Sequence, residues 1–282
     1  MHRLVGAAVA RPPGLAVAHA RAGQDAPALI APADGWTRAA ILDWLLGHAD
    51  AGTPMLIGLD LSPAFPFADL GAYFPGWADS PADARALWAL VDRLAGDEPH
   101  LAANRFVDHA EASRYFRRQG RPLGDRFGSA GRGRLRHVEE RQRGLALAPA
   151  SCFNLVGAAQ VGKSSLTGMR LLHRLGGRIP VWPFDPLPDA GPVIVEIYTS
   201  LAARAAGLPA GRSKVRDAAG LDAALARLDS AAHVALPRYT DHATDAMLTA
   251  AWLRRVAADA GLWHPPGLEP VRHTEGWTFG VR

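Results

Sequence analysis

The chain has 282 residues, 49% of them hydrophobic and 21% charged, a balance that builds a buried core and excludes a disordered or fibrous protein. Its formal net charge of +4 and sequence pI of about 9.7 agree with a polyanionic partner but are too small to establish one. Cys152 is the single cysteine, so no intrachain disulfide forms, and neither CxxC nor HExxH spacing is present to suggest structural or protease zinc.

A lone thiol fits a reducing cytoplasm, which is the expected location. The apolar run 4–10 is interrupted by Arg11, Pro12 and Pro13 before it makes a signal core, and reads as a first β-strand. No uninterrupted apolar run approaches the ~18 residues that a membrane span needs, so no membrane partner is expected. Oligomeric state is not legible.

Two further short apolar runs, 15–18 and 28–31, follow across turn residues and complete three expected antiparallel strands. Residues 36–48 place Ile41, Trp44, Leu45 and His48 on one helical face, and 55–61 is a buried-type strand carrying Asp60. The stretch 62–149 breaks this pattern. It holds one clear helix, 80–94, with Ser80 as the expected cap, and then a Gly- and Arg-rich segment. Beyond it come a short strand at 153–156, a helix at 164–175, and a strand at 193–198 carrying Glu196. Helices at 221–228 and 240–257 and a closing strand at 277–281 end the chain.

The expected fold class is therefore α/β: an RNase H-like mixed sheet, three antiparallel strands then parallel strands, flanked by helices and with a large inserted segment. The division is 1–61 for the first half of the domain, 62–149 for the insertion and 150–282 for the second half.

Cleavage of a phosphodiester by divalent ions needs carboxylates that converge from different elements. Asp60 closes the apolar run MLIGLD, Glu196 lies inside VIVEIY, and Asp241 and Asp245 stand four apart on one face of a helix. A carboxylate inside an apolar strand is costly unless it has a partner or a task, which singles out Glu196. These four are the candidate catalytic residues, with Mg²⁺ or Mn²⁺ as the cofactor.

GAAQVGKS at 157–164 satisfies the phosphate-loop pattern GxxxxGK[ST], making Gly157, Gly162, Lys163 and Ser164 candidate phosphate ligands. A P-loop NTPase or kinase is the alternative function it raises. Between Arg114 and Arg143 lie ten arginines against Asp125, Glu139 and Glu140, a local excess of +7. Tyr115, Phe116 and Phe127 are interleaved with them, so the segment suits a phosphate backbone with stacked bases, and Arg132, Arg134 and Arg136 are its candidate contacts. Nucleic acid, DNA or RNA, is the expected partner.

IGLDLSPAFPF from Ile57, EIYTSLAARAAGL from Glu196, DHATDAMLTAAWLR from Asp241 and TEGWTFGV from Thr274 resemble a family of predicted RNase H-like nucleases, domain of unknown function 429. The resemblance spans nearly the whole chain. The DxxxDAxxxAA pattern is also similar to the last helix of Holliday-junction resolvases, where an acid or histidine precedes a metal-binding acid by three residues. It implies Asp60, Glu196, His242 and Asp245 as metal ligands. The superfamily places a metal-binding Asp in strand one, whereas HRLVGAAVA has no carboxylate and Arg3 stands about where the acid belongs. That departure raises a third reading, a catalytically degenerate RNase H-like nucleic-acid-binding protein.

Overall fold

The computed structural model describes residues 10–12, 14–128, 131–157, 160–209 and 214–282. The expected first strand at 4–9, and Arg3 within the same segment, lie outside the described residues.

Strands β1 (Val17–His19) and β2 (Ala28–Ile30) pair antiparallel, with Ala18 opposite Leu29. Helix α1 (Arg38–Asp50) follows, capped by Thr37, whose hydroxyl accepts from the N–H of Ala40. Strand β3 (Met55–Leu59) comes next. Helix α2 (Ala84–Ala95) buries Leu87, Trp88, Leu90 and Val91. Its cap is Asp83 and not Ser80, because the Ser80 hydroxyl accepts from Phe74 N–H in the preceding turn. Two shorter helices are α3 (Asn104–Asp108) and α4 (His137–Gly144), and the longer α5 (Val161–Arg174) precedes β4 (Val181–Trp182) and β5 (Pro192–Glu196). The chain closes with α6 (Thr199–Ala205), α7 (Ala218–Ala226), α8 (Asp241–Val256) and α9 (Ala260–Trp263).

The sheet corrects the expectation. Among the described residues there is no RNase H-like sheet of three antiparallel strands continuing into parallel ones. A separate antiparallel pair, β1-β2, stands beside a parallel sheet of order β3-β5-β4. The three-residue strands β1 and β2 pack on α8, which also lies on β3, so a helix and not a hydrogen-bonded ladder joins them to the sheet. The segments 153–156 and 277–281 contribute single bridges, Arg117 to Asn154 and Glu196 to Thr278, in place of strands.

Parallel strands are stable when both faces are covered, and strand alternation divides the core accordingly. Ile57, Leu59 and Ile194 join a cluster with α1, α2, α5 and the aromatic residues of 65–127, where Phe65 stacks on Phe153 at 4.7 Å. Leu56, Val193 and Val195 face the other way, into a cluster built on α8 and the C-terminal Trp277 and Phe279. Gly58 permits the close approach of α8, because a Cβ there would stand 2.8 Å from Leu253 Cδ1 and Ile197 Cγ2. Gly58→Ala is expected to cost about 1–3 kcal/mol by overpacking, read as a lowered thermal midpoint. An unchanged midpoint would mean that α8 does not approach β3 this closely.

Candidate active site

Strands β3 and β5 end in register, Leu59 beside Glu196, so the residues that follow open at one edge of the sheet. The region outside the carboxyl ends of parallel strands is where α/β sheets hold ligands. The start of α5 is tied to this edge by the N–H of Ser62, which donates to Ser165 Oγ at 3.1 Å. Helix α8 brings Asp241 and Asp245 on its first turns, with Thr240 as its cap.

Asp60 and Asp245 interact here. Leu59 and Glu196 are register partners that point to one face, and the alternation of the strand carries Asp60, one residue on, to the opposite face, where α8 lies. The Asp60 carboxyl is pushed up to about 6, first by burial and then by the negative charges of Asp245 and Glu196, with Lys214 opposing. Asp60 nevertheless keeps an exposed surface.

Lys214 was not singled out by the sequence, although it is one of only two lysines in the chain. Its ammonium donates to Asp245 Oδ2 at 2.8 Å and lies 4.0 Å from Asp241 Oδ2. Asp241 also pairs with Arg216. The His242 ring lies against Gly14, where an added Cβ would meet Nε2 at 3.1 Å, and it makes no hydrogen bond or ion pair among the described residues.

Glu196 has a partner. Arg136, completely buried, donates Nη1 to Glu196 Oε2 at 2.8 Å and Nη2 to Oε1 at 2.5 Å. Thr278 donates to the same Oε1 at 2.8 Å. The Arg136 Nε donates to Glu139 Oε1 at 2.9 Å, and Nη1 also donates to the Glu275 carbonyl. Burial works against the guanidinium charge, but Glu196 and Glu139 outweigh it and hold the group protonated well above its ordinary range. Ser62 accepts from Arg136 Nη2 at 3.2 Å, so the network runs directly beneath the end of β3.

These placements decide what a divalent ion finds. Both Glu196 oxygens are engaged, and among the described residues no three His, Cys, Asp or Glu side chains form a group that could hold a metal. The expected set of Asp60, Glu196, His242 and Asp245 is therefore not assembled.

The Walker-like segment lacks the strand that such a loop follows, since 153–156 forms only the bridge from Asn154. Gly162 lies inside α5, and its role is steric: a Cβ there would stand 2.1 Å from the Cys152 carbonyl oxygen. Lys163 donates to Gln160 Oε1 at 2.5 Å and Ser164 to the Val161 carbonyl at 2.9 Å, so both polar ends serve the first turn of the helix. Gly157 has φ +80, the left-handed geometry that glycine adopts freely. Titration with ATP and Mg²⁺ is expected to show no micromolar binding that Lys163→Ala removes. Such binding would make the loop a nucleotide site.

The arginine segment is also different from its expectation. Arg136 is the buried hub just described, and Arg134, with 7% of its side chain exposed, is committed to Asp69 and to the carbonyls of Pro66, Ala72 and Tyr73. Neither is available to a phosphate backbone. Arg132 alone of the three expected contacts is exposed and unpartnered among the described residues. Tyr115, Phe116 and Phe127 are buried in the aromatic core and cannot stack on bases.

No helix among the described residues is long and apolar enough to cross a membrane. Compared with protein-family models, curated proteins and solved structures, the chain matches none.

Proposed function

We propose that the carboxyl edge of the parallel sheet is a hydrolytic site for nucleic-acid phosphodiesters. The observation that carries this reading is that Asp60, just beyond β3, lies within electrostatic reach of Asp245, from the start of α8, which the Lys214 ammonium holds. The resemblance of the segments around these residues to RNase H-like nucleases supports the same chemistry, without the fold that the resemblance implies.

Asp245 would hold one Mg²⁺ or Mn²⁺ beside Asp60, the ion completing its shell with water and substrate phosphate. Such an ion supplies charge stabilisation at the phosphoryl oxygens and lowers the pKa of bound water. The protein's own part lies in proton transfer and charge. A carboxyl that titrates near 6 exchanges protons close to neutral pH, as a general base does, and Lys214 balances the paired acids before substrate arrives. The Arg136 to Glu196 pair fixes the floor and takes no part in proton transfer.

The test is cleavage of labelled DNA and RNA with Mg²⁺ or Mn²⁺. Asp245→Asn is expected to lower the rate at least about 10²-fold, the lower end of what positioned acid–base groups contribute. Absence of cleavage by the wild-type chain, or undiminished cleavage by Asp245→Asn, would refute the reading.

A further inference from the structure

Two adjoining hollows, of about 460 and 610 Å³, share Arg117 and Gly131 as a common wall. Both volumes fall in the range of ligand pockets. Their walls are strongly basic, and the ion pairs show which charges are spent. Arg134 is matched by Asp69, Arg118 by Asp108 and Arg143 by Glu140. Arg117, Arg121 and Arg132 remain, exposed and with no side-chain hydrogen bond or ion pair among the described residues.

The Arg117 guanidinium does not project from a loose arm. Arg117 is anchored through its backbone, donating N–H to the Phe153 carbonyl at 3.0 Å and accepting from Leu155 N–H at 3.0 Å. Arg114 and Arg126 on either side are held by Asp125 and by the Pro75 carbonyl. Asn154 and Val156 line the floor of the hollows.

We propose that Arg117, Arg121 and Arg132 form a binding track for the phosphodiester backbone of one nucleic-acid strand. Separate, uncompensated guanidiniums along two joined hollows suit successive phosphates better than a single small anion, because no one point gathers all three charges. The inference rests on the hydrolytic reading for the identity of the polyanion, and it replaces Arg134 and Arg136 with residues that are free to bind.

The experiment measures binding of a short mixed-sequence single strand by fluorescence anisotropy across a salt series. It uses the full chain and the triple variant Arg117→Ala, Arg121→Ala, Arg132→Ala. Each phosphate contact contributes about 0.7 to the slope of log affinity against log salt, so the triple variant is expected to flatten the slope by about 2 and to lose at least about tenfold in affinity. Its thermal midpoint should stay at the wild-type value, since the three side chains are exposed and unpaired. No binding by the wild-type chain, an unchanged slope in the triple variant, or full displacement of the strand by an equal concentration of inorganic phosphate would overturn the track.

Asp245→Asn keeps the two readings apart, because it should bind the strand at least as well as wild type. Salt-sensitive binding lost in the triple variant, with no cleavage by the wild type, would leave the track standing and remove the hydrolytic reading. Cleavage undiminished in the triple variant at limiting substrate would do the reverse.

Discussion

Arg136→Met is expected to destabilise the protein by about 3–5 kcal/mol, the usual consequence of leaving a buried charge without its partner. The reason is the number of groups that depend on this one guanidinium. Glu196 and Glu139 are both buried and both answer to it, and Ser62 and the Glu275 carbonyl accept its remaining protons. Burial already pushes the Glu139 carboxyl up against the pull of Arg136, so without the arginine it favours its neutral form. The fall in thermal midpoint should be on the order of 10 °C for a chain of this size. Glu196→Gln should cost less, because Gln retains hydrogen bonding and Arg136 retains Glu139. The double variant Arg136→Met, Glu196→Met should recover part of the loss, since an apolar pair replaces an ion pair without leaving a charge behind. Strictly additive effects of the two substitutions would contradict the pairing.

Asp60→Asn is expected to act in opposite directions on cleavage and stability. Cleavage should fall by on the order of 10² to 10⁴, the span that a positioned general base contributes. The wild-type rate should rise with pH as Asp60 ionises, through a midpoint below the metal-free value of about 6, because a bound divalent ion favours the carboxylate. Stability should rise, for a reason fixed by the sign of the shift. The folded protein keeps the Asp60 proton up to about pH 6, while the unfolded chain releases it near the ordinary carboxylate value. Between these values the folded state binds more protons, so stability falls as pH rises through that window and stays lower above it. Asparagine removes that loss. Because Asp60 is exposed on one side, solvent screens the cost, and the gain at pH 7.5 should be only on the order of 1 kcal/mol, or about 2–4 °C. Below pH 4 the variant and wild type should melt together.

Local patterns placed the acids at the carboxyl edge of the sheet, and long-range partners determined what each acid contacts. Asp60 at the end of an apolar strand and Asp245 on the first turns of a Thr-capped helix were both legible, because strand ends and helix starts carry local signals. Glu196, expected as a catalytic metal ligand, is instead the partner of a buried arginine. That arginine is 60 residues away, inside an arginine-rich run where nothing in the spacing separates a buried guanidinium from an exposed one. The same blindness assigned Arg134 and Arg136 to solvent, and the buried Tyr115, Phe116 and Phe127 to base stacking. Lys214 had one available signal, since lysine is rare in this chain and a basic residue beside paired acids invites a role. The sheet was misread because three short apolar runs suggest one antiparallel ladder, whereas the described pair β1 and β2 packs on α8 apart from the parallel strands.

The pairing of Asp60 with Asp245 is most directly tested by titrating the Asp60 carboxyl by ¹³C NMR in the wild-type chain and in Asp245→Asn. The account predicts a wild-type midpoint at about 6 that drops clearly when the Asp245 charge is removed, since a neighbouring negative charge helps to hold it up. An ordinary carboxylate midpoint near 4 in the wild type, or one that Asp245→Asn leaves in place, would contradict it.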